Sequence, residues 1–318
     1  MLSIKRRIMP VIMLSSVLAC MNPLNVAASV DWDKVKGKDV VLFYPGQASW
    51  EWILSDHSAA KTVRHGGNCR ECHETEEKDM GKKIASGKKL EPNPIKGKPG
   101  SLPIHVKFAN DGDKLYVQLT WKDTQFHSGK KMDSKYPLKV AMMIGSKQVK
   151  ESTIAGCWGA CHDDATDMAS ATPKKERTLY LTASRTKLTR HGGGDDYKSS
   201  ADLKKLLSAG DFMEYWQAKL IANKPAVAVD GYILDKRNKS KKPAIDASAE
   251  LKNGKWTVTM SRKLKVNGDG RREFSPDETY YIGFAIHDDY TEGRFHYVSF
   301  GHTLAIGEGD TDFVATKQ

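Results

Sequence analysis

The residues with the clearest chemical meaning are two cysteines three positions apart, followed at once by a histidine: Cys69, Cys72 and His73. In such a motif each thiol can add across a vinyl group of haem to form a thioether, and the histidine is held under the ring as an axial ligand of the iron. The spacing is demanding, because two sulfurs and one imidazole must meet three fixed points on a rigid macrocycle. The motif therefore predicts a covalently bound haem c with His73 as its proximal ligand.

A second motif between Cys157 and His162 has the same order of residues, with one extra residue between its cysteines. Gly159 lies inside this longer loop, and its backbone freedom could absorb the extra residue. We therefore expect Cys157 and Cys161 to form the thioethers of a second haem c, with His162 as its proximal ligand.

Closely spaced cysteines also occur in structural zinc sites and in redox-active dithiols. A structural zinc site needs a second pair of ligands; the second motif could supply one, but it lies almost 90 residues away. A thioredoxin-like dithiol requires a βαβ context, which this sequence lacks. Haem attachment is the interpretation that we favour for both motifs.

An iron that only carries electrons needs a second axial ligand, for which His and Met are the usual side chains. For the first haem we predict His57. His65 is only four residues before Cys69, and so short a segment can hardly pass from one face of the ring to the other. Met80 is the alternative distal ligand.

For the second haem we predict His296 as the distal ligand. The residues around it alternate as in a strand, which puts His296 and Val298 on one face and would point His296 between sheets, towards a haem. His287 is the next candidate and His191 the third.

The first 28 residues predict a secretory signal peptide. The basic residues at positions 5–7 precede an apolar run at 8–19 and a small-residue cleavage site at Val26-Ala27-Ala28. The apolar run is too short to span a bilayer comfortably, and a lipoprotein signal with Cys20 as the lipidated residue is the alternative. The signal predicts a periplasmic protein whose four other cysteines all lie in the two haem motifs, so a disulfide scaffold is excluded.

The composition, with 39% hydrophobic and 28% charged residues, is that of a soluble globular protein with a polar bias. The formal net charge is +11. Removing the three basic residues of the predicted signal leaves 47 basic against 39 acidic side chains, or +8. This excess favours docking to acidic surfaces, although a solvated lysine-rich surface accounts for it equally well. The sequence contains no basic element interleaved with aromatic residues, which would be the sign of nucleic-acid binding.

The pattern of elements changes near residue 100. Residues 82–100 are rich in Lys, Pro and Gly, which is typical of a linker. We therefore predict a mainly β protein with some helix: a small helical and loop haem c domain at 29–100, followed by an antiparallel β-sandwich at 101–318. Strands are predicted at 104–108, 115–121, 138–144, 227–234, 256–260, 280–286 and 295–306, and helices at 201–207 and 212–221.

Three segments carry a family resemblance: the second motif with its acidic continuation (157–168), residues 227–234 and residues 285–299. Through them, residues 100–315 resemble the cytochrome c-552/DMSO-reductase-type haem-binding domain seen in the γ subunit of ethylbenzene dehydrogenase. The resemblance implies a β-sandwich that holds one haem and takes part in periplasmic respiratory electron transfer. The γ subunit holds a non-covalent haem b with Met and Lys ligands, whereas the cysteines here predict a covalent haem. The N-terminal part resembles the single-haem modules of multihaem respiratory cytochromes.

The resulting expectation is a periplasmic dihaem cytochrome c, an electron carrier rather than an enzyme, with no membrane span. The expected partners are a quinol-oxidising membrane cytochrome upstream and a periplasmic or outer-membrane reductase downstream. Two alternatives remain: a haem enzyme, such as a peroxidase or an oxyanion reductase, and a haem subunit of a molybdenum oxidoreductase.

Overall fold

The computed structural model describes residues 30–126, 135–160, 181–187, 196–289 and 295–318, and of Cys157 it describes only the backbone. The predicted signal peptide, Cys161, His162 and His191 lie outside the described residues.

The protein is mainly β. Its strands are β1 Gly37–Phe43, β2 Ser101–Asn110, β3 Lys114–Lys122, β4 Leu138–Gly145, β5 Met213–Leu220, β6 Val227–Ile233, β7 Arg237–Lys239, β8 Asp246–Lys252, β9 Lys255–Lys263, β10 Thr279–His287, β11 Tyr297–Val298, β12 His302–Ile306 and β13 Phe313–Lys317. They form one continuous sheet with the order β7-β6-β5-β4-β10-β11-β1-β2-β3-β9-β8. β12 and β13 link β10 to β2, so that the strands β10-β11-β1-β2-β13-β12 close into a ring.

The prediction of a purely antiparallel arrangement is wrong at one place. β13 pairs in parallel with both β12 and β2, whereas the other strand pairs of the described residues are antiparallel. The division into two packed layers stays a prediction. Strands on both sides of β1 in the strand order nevertheless share one apolar core. Val117 of β3 and Met260 of β9 are buried in it, and so are Met142 of β4 and Phe284 of β10.

The sequence predicts only helices and loops for the N-terminal segment, but the segment also contains a strand. β1 pairs with β2 along its whole length, from Gly37 opposite Lys107 to Phe43 opposite Ser101. Strand pairing therefore crosses residue 100, and the segment before it supplies a central strand to the sheet.

The predicted linker also packs against the body of the protein. The Tyr44 N–H donates to Gly100 O at 2.9 Å, and the Tyr297 hydroxyl donates to Pro99 O at 2.8 Å. Ile95 is buried in the main core. Pro and Gly are enriched in packed turns as well as in flexible linkers, so composition alone cannot separate the two.

Six α-helices lie in the described residues: α1 Trp50–Ser55, α2 Ala60–Arg64, α3 Arg70–His73, α4 Glu77–Ala85, α5 Lys150–Ala155 and α6 Ser200–Ala209. A 3₁₀ helix, Gly156–Ala160, follows α5 directly. Among the described residues, no helix is long and apolar enough to cross a membrane.

The helix predicted at 212–221 is wrong, because this segment is strand β5. Nearly every residue of β5 is buried: Trp216 faces the main core, while Tyr215 packs on the opposite face of the sheet. A strand that is covered on both faces loses the alternation by which strands are recognised.

Candidate haem site

One helical turn brings the first motif together. α3 begins directly after Cys69, and the His73 N–H donates to Cys69 O at 3.0 Å. Residues three and four positions apart lie on the same face of a helix, so Cys69, Cys72 and His73 face the same way. The Cys69 thiol is buried, and burial raises its pKa to about 12, whereas Cys72 is exposed.

All three side chains line an apolar cleft of about 930 Å³, counting its solvent-open mouth. Its apolar walls include Ile53 of α1, Ile84 of α4 and Leu90. Lys83 and Lys89 also line it. Binding sites for small molecules and cofactors have this size and character. A mainly apolar cleft with two thiols on one side and cations on the lining suits a flat macrocycle that carries two carboxylates.

His73 is oriented by Glu76, a residue that the sequence analysis missed. The His73 Nδ1 lies 2.9 Å from Glu76 Oε2, and the carboxylate can only accept the hydrogen bond. This contact places the imidazole proton on Nδ1 and leaves the lone pair on Nε2 for a metal. Metal-binding histidines usually have such a partner. Glu76 lies three residues after His73, in the turn that joins α3 to α4, and an acidic residue so close to the motif is the signal that could have revealed it.

His57, the predicted distal ligand, lies across the cleft from His73. The two ring centres are 5.8 Å apart and the ring planes meet at 69°. A metal–imidazole bond is about 2 Å long, so two imidazoles that share one metal ion have ring centres roughly 6 Å apart. The rings of Trp52 and His57 meet edge to face, with 5.4 Å between their centres. Burial lowers the pKa of His57, and the positive charge of Lys89 lowers it further, which favours the neutral form that binds metals.

One hydrogen bond of His57 is incompatible with metal binding through Nε2. The Ala59 N–H donates to His57 Nδ1 at 3.1 Å, which puts the proton of the neutral ring on Nε2. Ligation through Nε2 therefore requires the ring to turn and to give up this hydrogen bond. Met80 of α4, the alternative ligand, also lines the cleft, whereas His65 is exposed and bonds to Lys61 O at 2.7 Å.

Arg70, within the first motif, fixes α3 to the sheet. Its guanidinium donates to Asp312 at 2.7 Å and to Glu74 at 2.7 Å, and it lies 3.3 Å from His302 Nδ1. Burial alone would raise the pKa of Asp312, but hydrogen bonds from Arg70, Thr303 and Lys38 hold it well below its usual value. Burial lowers the pKa of His302 to about 4. The first motif is thus anchored by an ion pair to the segment between β12 and β13.

The second motif begins beside the first. The Cys69 N–H donates to Ile154 O at 3.2 Å, and the Asn68 amide donates to Thr153 O at 2.9 Å. Both acceptors belong to α5, which leads into the 3₁₀ helix that contains Cys157. The turn between them depends on Gly156, which has a φ of +64° and whose Cβ, if present, would lie 2.9 Å from Gly301 Cα.

The glycine that we expected to give backbone freedom, Gly159, has another role. It is not among the described residues with positive φ, but a Cβ there would lie 2.8 Å from the Glu151 side chain. Gly159 therefore permits a close approach between the 3₁₀ helix and α5. Cys161 and His162 lie outside the described residues.

The two candidate distal ligands of the second haem lie side by side. The rings of His287 and His296 stack at 4.6 Å between centres, at an angle of 11°. His287 and His296 directly adjoin the last pair of strands β10 and β11, Ile286 opposite Tyr297, and the preceding pair is Ala285 opposite Val298. Ala285 and Val298 belong to the apolar cluster that also contains Cys69.

The direction of His296 differs from the prediction. The neighbours Phe295 and Tyr297 face the main core. His296 therefore points away from the main core, onto the face of the sheet that bears α5 and the 3₁₀ helix, where it is 8% exposed. The predicted alternation of this segment is confirmed, but His296 does not point into the main apolar core.

The comparisons with known proteins agree with this chemistry. The family model described as ethylbenzene dehydrogenase matches residues 29–243 and 224–299. Cytochrome c-552 of Stutzerimonas stutzeri is 38% identical over 296 residues, which cover 92% of this chain and 92% of that protein. Cytochrome c-551 of Rhodocyclus tenuis is 30% identical over 297 residues, 91% of this chain and 99% of that protein.

The chain belongs to the ethylbenzene dehydrogenase family. Within that family it is a c-type cytochrome, as the resemblance of its second half implies. The family match begins at residue 29, so it includes the first motif, which we had compared with single-haem modules of other cytochromes. In this cytochrome the cleft and the sheet beneath it are therefore parts of one family region.

The zinc alternative depends on ligands from the second motif, of which Cys161 and His162 lie outside the described residues. Among the described residues of the cytochrome, no three His, Cys, Asp or Glu side chains form a group that could hold a metal ion. The apolar cleft beside Cys69 and Cys72 instead fits the bulk of a haem.

Proposed function

We propose that this c-type cytochrome binds two haem c groups and transfers electrons between redox partners in the periplasm. The observation that carries the proposal is the convergence of Cys69, Cys72, His73 and His57 on one apolar cleft. Bound haem supplies an iron that alternates between the ferric and ferrous states.

The residues of the first motif have separate roles in this proposal. Cys69 and Cys72 anchor the cofactor through thioethers, formed when each S–H adds across a vinyl double bond. His73 binds the iron through Nε2, and Glu76 holds its ring in the required tautomer. His57 or Met80, which both line the cleft, would supply a second protein ligand to the iron, so that this chain and not a substrate would complete its coordination. The apolar lining keeps water from the iron, and Lys83 and Lys89 are the cations available to the propionates.

For the second haem we propose thioethers at Cys157 and Cys161, His162 as the proximal ligand, and His296 or His287 as the distal ligand. The support is the position of the histidine pair, on the same face of the sheet as the 3₁₀ helix that contains Cys157. Two covalent haems would make the protein a relay between partners rather than a carrier with a single site.

Two parts of the proposal rest on the sequence. The signal-like residues 1–28 favour a periplasmic location, with a lipid anchor on Cys20 as the alternative. The net charge of +8 after removal of the signal's basic residues favours acidic docking surfaces on the partners. We propose a quinol-oxidising membrane cytochrome as donor and a periplasmic or outer-membrane reductase as acceptor.

The proposal is tested by counting covalent haems in the protein exported to the periplasm. A pyridine haemochrome assay combined with intact mass should give two haems for the native chain. It should give one haem for the double variant Cys69→Ser/Cys72→Ser and one for Cys157→Ser/Cys161→Ser. A native chain with one haem would remove the second site, and a chain without covalent haem would refute the proposal.

A second candidate function follows from the family itself. The family model is described as ethylbenzene dehydrogenase, so the chain could serve as a haem subunit of an oxidoreductase. In that case a large partner would copurify in stoichiometric amount and the isolated chain would have no separate redox role. Carbon monoxide binding to the reduced protein would instead indicate an open iron site and favour a haem enzyme.

A further inference from the structure

Trp158 lies within the second motif and also lines the cleft of the first motif. In the sequence it directly follows Cys157, the first cysteine of the second motif. In the structure its side chain is 7% exposed and lines the cleft that contains Cys69, Cys72 and His73. A residue in the wall of one site is therefore one peptide unit from the proposed attachment point of the other.

The Trp158 ring is held in a fixed orientation. Its indole N–H donates to Ala48 O at 2.7 Å. Ala48 precedes Ser49, which caps α1 by accepting a hydrogen bond from the Trp52 N–H. The ring also meets Phe43 edge to face, with 5.4 Å between the ring centres. Buried hydrogen bonds and aromatic contacts of this kind limit the ring to one position.

The ring of Phe300 lies next to both His73 and Trp158. Phe300 stacks on His73 with 6.2 Å between ring centres and an angle of 18°. Phe300 also contacts Trp158 at 6.1 Å. Trp158 and Phe300 lie in one buried apolar cluster, so this contact is closed to water.

We infer that Trp158, together with Phe300, forms the contact through which an electron passes between the two haem sites. The inference rests on the proposed function, since it requires a haem at each motif. In the step, one electron leaves ferrous iron at one motif and reaches ferric iron at the other; one iron is oxidised, the other is reduced, and no proton moves. The role of Trp158 is to hold the chain at Cys157 against the wall of the first cleft and to keep this wall rigid and dry.

The test is the rate of electron exchange between the haems after one of them is reduced by a light pulse. Removing the buried ring leaves a cavity at this contact and lets the packing around it relax, so we expect Trp158→Leu to slow the exchange relative to the native protein. Trp158→Phe keeps an aromatic ring and should lie between Trp158→Leu and the native protein. Phe300→Leu should also slow the exchange.

Trp256→Leu is the matched control. Trp256 is a buried tryptophan of β9 that stacks on Trp121 in the main core, among residues that do not line the cleft. It should lose stability like Trp158→Leu but keep the native exchange rate. The haem count and the midpoint potentials of each variant are measured first, so that a loss of cofactor is not mistaken for slow exchange.

Failure of the inference can be distinguished from failure of the proposed function. Native protein with only one covalent haem would overturn both. Two haems in Trp158→Phe and Phe300→Leu with native exchange rates would overturn the inference and leave the dihaem assignment intact.

Discussion

Replacement of Glu76 by Gln should raise the midpoint potential of the first haem. The Glu76 carboxylate accepts the hydrogen bond from His73 Nδ1 at 2.9 Å. Its negative charge makes the imidazole a stronger donor to the metal and stabilises the ferric state, which carries one more positive charge than the ferrous state. Gln can still accept the hydrogen bond, but it removes the charge.

The size of the effect follows from the exposure of the pair. The side chains of His73 and Glu76 are 28% and 57% exposed, and interactions between charges at such sites contribute about 0.2–1 kcal/mol. We take about 0.5 kcal/mol as the preference of the carboxylate for the ferric state. About 1.36 kcal/mol corresponds to roughly 59 mV for one electron, so the expected increase is about 20 mV.

The assay is a potentiometric titration followed by the absorbance of the first haem, in a Cys157→Ser/Cys161→Ser background that removes the second. Glu77→Gln is the control, because it removes the same charge one residue further along, in the first turn of α4. A Glu76→Gln potential that is unchanged or lower, or an equal increase in Glu77→Gln, would refute the role of the hydrogen bond.

Three further predictions concern ligation and stability. His57→Ala should abolish the low-spin spectrum of the first haem, and exogenous imidazole should restore it; an unchanged spectrum, with the loss found in Met80→Ala instead, would assign the ligand to Met80. Because the pKa of Asp312 is depressed in the folded protein, its stabilising effect is present above about pH 3.8 and is lost as the pH falls further. Asp312→Asn should therefore have a lower free energy of unfolding at neutral pH. Between pH 5 and 2, its free energy of unfolding, measured with urea, should fall less steeply than that of the native protein. Arg262→Met would leave the buried carboxylate of Glu214, 3.0 Å away, without its cation; a loss of about 3–5 kcal/mol in the free energy of unfolding is expected, and a loss below about 1 kcal/mol would contradict it.

Several parts of the fold could be predicted from local sequence because local forces decide them. Asn-Gly at 253–254 is the usual signal of a two-residue hairpin turn, and both residues have positive φ and join β8 to β9. The helix predicted at 201–207 is confirmed as α6, with Ser199 capping its first turn. β5 was mistaken for a helix because its burial on both faces depends on partners that are distant in the sequence.

The candidate site also has parts that local sequence decides and parts that depend on distant residues. The chemistry of Cys69, Cys72 and His73 is fixed by their spacing, since one helical turn is enough to align them. Local sequence also favoured His57 over His65, because the length of the chain before Cys69 limits what can reach the far side of a ring. Both His57 and Met80 line the cleft, so the choice between them stays a prediction.

The sequence by itself determined that this protein carries haem, because a motif of five residues contains all the groups that the attachment reaction needs. Only the tertiary structure decided how the site is assembled. The anchoring of Arg70 by Asp312, the stacking of Phe300 on His73 and the place of Trp158 in the first cleft join residues that are 85 to more than 240 positions apart. Such contacts leave no local pattern, because they arise from a continuous sheet that brings β1, β10 and β11 together beneath both motifs.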